Sequence, residues 1–306
     1  MTKSAIITGG AGFIGYHLAK ALLKKNFQIF IIDNLSRGKL DKELKNLLKN
    51  KKVFFFKKNL QQKTLLKIKK IDIIFHLAGS VGVKNITDHP YESFLNNILS
   101  LKNIIDFNKM LRKEAKLILF STSEVYSPII DTGKAKYPLQ ETNKILLKSK
   151  TSKRDAYYLS KIFNEKLTEI SNKNYLILRP HNIYGPRMGF SHVVPELLKK
   201  MHLENKKILR KTIIYSPNHK RAFCYIDDAI NQIVKLSLNF KIKNEVFNIG
   251  NMKEEIKIID LAKKIKRMFF KKSKLELGSV TQGSPKRRVP NMRKTEKFIN
   301  EKEYIN

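Results

Sequence analysis

Apolar positions near the start of the chain come in short, unbroken blocks. Ser4 to Thr8 is a run of the kind that forms a strand buried on both faces. From Phe13 to Lys25 the spacing becomes helical, with Ile14, Leu18, Ala21 and Leu22 on one face. Phe27 to Ile32 predicts a second strand ending at Asp33, Val53 to Lys57 a third and Ile71 to His76 a fourth. Pro90 opens a helix running to about Arg112. Lys116 to Ser121 is a fifth strand, Asp155 to Ser171 another helix, and Tyr175 to Arg179 a sixth strand. This alternation predicts an α/β fold, a doubly wound parallel sheet with right-handed crossovers.

After Pro180 the pattern changes. Turn signals at Tyr184-Gly185-Pro186 and Ser216-Pro217-Asn218, with shorter elements around them, predict a smaller C-terminal lobe. Val246 to Ile249 is the one segment there expected to return a strand to the main sheet. The expected organisation is a Rossmann-type domain over residues 1–181 and a lobe that mainly serves the substrate over 182–306.

The junction of the first strand and first helix reads Thr8-Gly9-Gly10-Ala11-Gly12-Phe13-Ile14-Gly15. Glycines at 9, 12 and 15 suit a phosphate-binding turn. Gly9 allows the tight turn, Gly12 the approach of a pyrophosphate, and Gly15 close packing of helix on strand. The helix N-terminus then offers N–H groups and a positive dipole to the anion. Asp33 stands where a carboxylate accepts hydrogen bonds from the adenosine ribose and repels a 2′-phosphate, which favours NAD. Arg37 is a counter-signal, since it could reach such a phosphate. Asp33 weighs more.

Tyr157 and Lys161 lie one helical turn apart, downstream of Ser121-Thr122-Ser123-Glu124-Val125-Tyr126. A phenol is a poor base at neutral pH. A neighbouring ammonium and a positive nicotinamide would stabilise its phenolate. Tyr158 lacks the spacing to Lys161 and is the decoy.

Composition removes other classes. The 306 residues, 42% of them hydrophobic, can build a real core. No apolar run approaches the roughly 18 residues needed to span a bilayer. The N-terminus has no signal-peptide pattern. The single cysteine, Cys224, can form neither an intrachain disulfide nor a thiolate zinc site, so no metal is expected. These features point to the cytoplasm. The net charge of +36 raises nucleic-acid binding. Only 11 of the 62 basic residues are arginine, however, and the lysines are spread along the chain. Drift toward AT-rich codons explains that better than a nucleic-acid reader, which relies on arginine forks and stacking aromatics.

Taken in order, TGGAGFIG (8–15), DNLSRG (33–38), HLAG (76–79), STSEVY (121–126), YYLSK (157–161), RPHNIYGPRMG (179–189), RAFCYIDD (221–228) and FNIGN (247–251) resemble one family. It is the extended short-chain dehydrogenase/reductases of the NAD-dependent epimerase/dehydratase family, which modify nucleotide sugars. The resemblance implies NAD held by Gly9, Gly12, Phe13, Ile14, Gly15, Asp33, Asn34, Leu60, Leu77, Ala78, Gly79 and Asn97, with Tyr157 and Lys161. Asn59-Leu60 stands where the family usually has Asp-Leu. It further implies Tyr157 as base, Lys161 on the nicotinamide ribose, and Thr122 on the sugar 4-hydroxyl. Asn182, Arg221 and Arg288 would contact the substrate, with Ser123 beside them, and a homodimer would form through the Pro90–Arg112 and Asp155–Ser171 helices.

Ser123-Glu124 replaces the Asp-Glu pair of the family's dehydratases, so an acid for expelling a 6-hydroxyl is missing. The Thr-Ser-Glu order resembles the nucleotide-sugar uronic acid decarboxylases, and Arg288 could neutralise a uronate carboxylate. The expected reaction passes through a 4-keto sugar, with UDP-glucuronate decarboxylation first. UDP-hexose 4-epimerisation, which leaves Glu124 without a duty, comes second, and 4,6-dehydration third. A nucleotide-sensing or nucleic-acid-binding protein on the same fold is the non-enzyme alternative. Intact Thr122, Tyr157 and Lys161 argue against it.

Overall fold

The computed structural model describes residues 2–62, 68, 70–300 and 304. In chain order the first half contains β1 (Ser4–Thr8), α1 (Phe13–Lys24), β2 (Gln28–Asp33), α2 (Lys42–Leu47), β3 (Val53–Lys57), β4 (Ile73–His76), α3 (Val83–Asp88), α4 (Pro90–Lys109), β5 (Lys116–Phe120), a 3₁₀ turn (Ser123–Tyr126) and α5 (Ser127–Asp131). Then come α6 (Asp155–Ser171), β6 (Tyr175–Pro180), β7 (Ile183–Tyr184), α7 (Val193–Asn205), β8 (Thr212–Ile214), β9 (Lys220–Ala222), β10 (Cys224–Tyr225) and α8 (Ile226–Leu238). The chain closes with β11 (Glu245–Ile249), β12 (Glu255–Lys257), α9 (Ile258–Phe269), β13 (Leu275–Leu277), β14 (Arg287–Arg288) and α10 (Arg293–Ile299). The long helix after Pro90 stops at Lys109, short of Arg112.

Seven strands form one parallel sheet in the order β11-β6-β5-β4-β1-β2-β3. Its central strands are mostly apolar because both faces are covered: every residue of β1, β4 and β5 is buried, with polar residues only at the strand ends (Ser4, Thr8, His76 and Lys116). One apolar cluster joins Leu18, Leu22, Ile29 and Phe75 to Ile230 and Ile233 of α8. The other joins Ile6, Ile74, Leu117 and Leu119 to Leu101, Ile104 and Ile105 of α4. The chain thus wraps the sheet on both sides, and the strand order reverses between β1 and β4. At such a switch point a crevice opens beyond the C-terminal strand ends.

Among the described strands after β6, only β11 joins the main sheet, and two helices accompany it. β11 pairs in register with β6, while α8 packs on α1 and α10 on both α8 and β11. The remaining late elements have their own apolar cluster, Leu197, Met201, Ile214, Phe223, Ile258 and Ile265. β9 sits between β12 and β14, which sets Arg221 beside Arg288.

Candidate active site

The glycine turn is built as its spacing implies. Gly9 has φ +68°, and a Cβ there would stand 2.9 Å from the Ala78 nitrogen. A Cβ on Gly15 would stand 2.5 Å from the Gly9 oxygen, so helix and turn could not close. At Gly12 a Cβ would meet only the Gly9 oxygen, at 3.1 Å, and otherwise open space. Gly12 caps α1 with no side chain, and the first turn of α1 carries no acid. Its N–H groups are left for an anion. Phe13 and Ile14 are half-buried against the core.

Asp33 ends β2 inside this crevice. Its carboxylate accepts from the Ala11 N–H at 3.0 Å and the Leu35 N–H at 2.8 Å. Burial raises its pKa, and the two N–H groups partly oppose that. Asn34 turns its side-chain oxygen onto the Ser36 N–H at 3.0 Å. Across the switch point the Thr8 hydroxyl accepts from the N–H groups of Leu77 and Ala78, each at 3.1 Å. These residues form a cradle of backbone with little side chain, which fits a nicotinamide dinucleotide lying over the turn.

Asn97 and Leu60, also expected at the cradle, have protein partners of their own. The Asn97 amide oxygen accepts from the Ser80 N–H at 2.6 Å, and its nitrogen donates to the Ser160 hydroxyl at 2.9 Å. Asn97 ties the loop after β4 to α6, and its closeness is why Gly79 can carry no Cβ (2.7 Å to Asn97 Oδ1). Leu60 is buried in the sheet–α4 cluster, and its carbonyl accepts from Asn103 at 2.8 Å.

Tyr157, Lys161 and Thr122 come together at the end of β5. Thr122 caps the 3₁₀ turn, accepting from the Glu124 N–H at 3.2 Å, and hydrogen-bonds the Tyr157 hydroxyl. Lys161 is buried, donates to the Phe120 carbonyl at 2.9 Å and stands 6.0 Å from the Tyr157 ring centroid. Burial lowers it to about 8. Burial also pushes the Tyr157 phenol up to about 12, with Glu124 adding to the rise; Thr122, Arg37 and Arg288 pull the other way. The protein by itself thus holds Tyr157 protonated, and the expected depression of its pKa must come from what binds beside it. Tyr158 is turned into the core with Val125, Tyr126, Leu139 and Ile162.

Glu124 lies next to this group. One carboxylate oxygen accepts from Arg288 Nη1 at 2.8 Å, the other from the Ser127 hydroxyl at 3.1 Å. Burial would raise it, but Arg288 foremost, then Arg154 and Ser127, bring it down to about 2. Arg288 uses only that one nitrogen: its Nε and Nη2 are buried with no hydrogen-bond partner. Arg221 donates to the Lys220 carbonyl and the Ser284 hydroxyl, each at 2.8 Å. Burial and the adjacent Arg288 lower it to about 9. Asn182 donates to the Ala222 carbonyl at 3.2 Å, fixing β7 to the strand that carries Arg221. Ser123 is buried beside Glu124.

Arg154 and Ser127 belong to this cluster and were not legible as such. Arg154 immediately precedes α6 and donates to the Gln282 carbonyl at 2.7 Å, a contact made 128 residues away. Ser127 opens α5, and its hydroxyl donates to Glu124 at 3.1 Å.

Comparison with known proteins agrees with this geometry. The model of the NAD dependent epimerase/dehydratase family matches residues 5–250. A UDP-N-acetyl-alpha-D-glucosaminuronate decarboxylase of Bacillus cytotoxicus is 30% identical over 284 residues, covering 90% of this chain and 83% of that protein. A putative UDP-glucose 4-epimerase of Methanocaldococcus jannaschii is 31% identical over 263 residues, covering 81% of this chain and 77% of its own. The structure of a mutant UDP-glucuronic acid 4-epimerase from Bacillus cereus, in complex with NAD and UDP-4-deoxy-4-fluoro-glucuronic acid, superposes with a TM-score of 0.81 at 28% identity, covering 99% of this chain and 95% of that one. A dinucleotide turn and a Tyr–Lys helix on one sheet, matched over most of their length by a single family model, leave one conclusion: the chain belongs to the NAD dependent epimerase/dehydratase family and is an enzyme with NAD as its cofactor.

Proposed function

We propose that the protein decarboxylates a UDP-linked glucuronate through a 4-keto intermediate. The observation that carries this reading is the free edge of Arg288 beside an ionised Glu124. A buried guanidinium with two unpaired nitrogens is costly until an anion meets them, and a carboxylate fits that edge with paired hydrogen bonds. Arg221, lowered by burial and then by the adjacent Arg288, is relieved by a second anion, the nucleotide diphosphate. Arg154 adds positive charge on the Glu124 side.

Within this reading the Gly9–Gly15 turn, Asp33 and Lys161 hold NAD, which supplies hydride acceptance and return at carbon 4. Thr122 orients the sugar 4-hydroxyl toward Tyr157, and the phenolate takes its proton. The new ketone lies β to the carboxylate, so the bond between carbons 5 and 6 breaks with its electrons passing into an enolate. Arg288 orients the departing carboxylate. Glu124 relays a proton from water to carbon 5. Dehydration would need a further proton donor for the 6-hydroxyl, and the residue beside Glu124 is Ser123 rather than an acid.

Purified protein supplied with NAD and UDP-glucuronate is expected to release carbon dioxide and form a UDP-pentose. Conversion to UDP-galacturonate without carbon dioxide would replace this reading with epimerisation of the same uronate. Interconversion of UDP-glucose and UDP-galactose alone would replace it with hexose epimerisation. Glu124→Gln should slow product formation by about 10²–10⁴-fold while a first turnover still reduces the cofactor.

The same reading makes α4 and α6 a self-association face. Phe163 and Ile170 share one face of α6 and are exposed, as are Tyr91 and Leu99 on α4. Phe94 meets Phe163 edge-on at 5.8 Å between ring centroids, so the two helices present one aromatic and aliphatic surface. Sedimentation should give a dimer, and Ile170→Asp with Phe163→Asp should give a monomer.

A further inference from the structure

Helices α7 and α9 end side by side at one tip of the C-terminal lobe. The His202 and Phe270 rings meet there with centroids 6.5 Å apart. Glu204, near the end of α7, accepts from the Thr212 hydroxyl at 2.7 Å and from the Lys274 N–H. The Thr212 N–H donates in turn to the Lys274 carbonyl at 2.9 Å. The segments that leave the two helices are thereby tied together just before β8 and β13 pair.

Both segments carry the same mixture. Residues 206–211 read Lys-Lys-Ile-Leu-Arg-Lys, and residues 263–272 read Lys-Lys-Ile-Lys-Arg-Met-Phe-Phe-Lys-Lys. Neither stretch contains an acid. Among the described residues, Lys211 is the one cation of these two stretches with an ion pair, to Glu276. The apolar residues divide between inside and outside. Ile265 and Phe270 pack into the cluster of Leu197, Met201 and Ile214. Met268 and Phe269 stay 58% and 63% exposed, and Ile208 and Leu209 65% and 37%. The backbone turns Ile208 outward. Lys207 holds φ +60°, its N–H donates to the Glu204 carbonyl at 2.8 Å, and the Ile208 N–H donates to the Leu203 carbonyl at 2.9 Å. Such a helix end ordinarily has glycine in the left-handed position and lays the next residue back on the helix. Here a lysine takes that position, and Ile208 remains in solvent.

Lysine is abundant along the whole chain, so charge alone marks no surface. What distinguishes this tip is four exposed apolar side chains set among cations. Water is a poor partner for the apolar groups, and an interface of anionic lipids suits both kinds. The long lysine stems let apolar groups enter the headgroup layer while the ammonium groups stay at the phosphates. Nucleic acid fits less well. It is held by arginine forks and stacked aromatics, for which Met268, Ile208 and Leu209 have no use. We propose that this tip docks the enzyme on an anionic phospholipid surface, with Met268, Phe269, Ile208 and Leu209 entering the headgroup layer.

Docking there leaves the substrate side of the lobe open. At the start of α9 the Ile258 N–H donates to the His219 carbonyl at 3.0 Å, next to the strand that carries Arg221. The 12 residues of α9 then carry the tip about 18 Å along the helix axis from that strand.

The chain has no tryptophan, so Phe269→Trp places a single reporter at the tip. With vesicles of equimolar phosphatidylglycerol and phosphatidylcholine its emission should shift to the blue, and added salt should reverse the shift. Vesicles of phosphatidylcholine alone should produce no shift. In flotation, Met268→Ser with Phe269→Ser should bind the anionic vesicles about tenfold more weakly than wild type at unchanged charge. Lys264→Gln with Lys271→Gln should cost about thirtyfold. Lys49→Gln with Lys51→Gln, an equal change of charge in the loop before β3, should cost much less. All these positions are exposed, and urea unfolding checks that each variant folds as wild type does. An unshifted Phe269→Trp emission, equal losses from the two lysine pairs, or vesicle binding untouched by the serine pair overturns the proposal. If the serine pair abolished binding to duplex DNA and left vesicle binding intact, the tip would belong to nucleic acid instead.

Discussion

Tyr157→Phe is expected to reduce sugar oxidation by at least 10²–10⁴-fold, the range over which a positioned proton acceptor acts, while the protein stays folded and loads NAD normally. The substitution keeps the half-buried ring and removes only the hydroxyl that meets Thr122. Loss of that one hydrogen bond should cost about 1 kcal/mol of stability. Mixing NAD-loaded protein with nucleotide sugar and following absorbance of the reduced nicotinamide measures the oxidation directly, whichever product forms later. Wild-type rates in the variant would remove Tyr157 from the chemistry.

The pH dependence has a definite sign. Without ligands burial pushes the phenol to about 12 and Lys161 to about 8. Phenolate forms as pH rises, whereas the ammonium is lost as pH rises through about 8. The oxidation rate should therefore climb with pH on its acid limb. Bound cationic nicotinamide should move that limb well below the phenol value of the free protein. Lys161→Met should move it back up.

The skeleton of this site is legible in the sequence because local rules decide it. β1, β4 and β5 are mostly apolar because a parallel sheet buries both faces, and the turn spaced by Gly9, Gly12 and Gly15 admits no Cβ at Gly9 or Gly15. Tyr157 and Lys161 meet because α6 has a fixed repeat. What escapes local rules is whatever depends on a distant loop. Asn97 carries a polar side chain on a helix, and only the folded chain reveals Ser80 and Ser160 as its partners. Arg288 reads as a substrate arginine, yet in the free protein it lies on Glu124, 164 residues away. Arg187 donates to Asp41, yet the two are 146 residues apart and have no shared pattern. Helix α8 has a clear apolar stripe, but its position against α1 follows from the sheet order rather than from its own spacing.

A second large effect lies beneath the site. Arg179 and Glu165 form a buried pair, with side chains 5% and 2% exposed. Arg179 Nε and Nη2 donate to the two Glu165 oxygens at 2.9 and 2.7 Å. Its Nη1 donates to the Tyr126 hydroxyl at 2.9 Å, and that hydroxyl donates to Asn248 at 3.0 Å. Glu165 also accepts from Ser121. The network thus joins α6, which carries Tyr157 and Lys161, to the ends of β5, β6 and β11. Arg179→Met would leave the Glu165 charge buried without its partner, a loss of about 3–5 kcal/mol. Urea unfolding should show the stability falling by that amount. Arg179→Met with Glu165→Leu removes both charges and should recover much of the loss, since an apolar pair of similar volume replaces a buried ion pair at little cost. If the double variant were as unstable as Arg179→Met, the contribution would lie in the Tyr126 and Asn248 contacts instead of the charge pair. Activity separates the two roles further. A double variant that folds but oxidises slowly would mean that the network's duty is to hold α6 so that Tyr157 and Lys161 face Thr122.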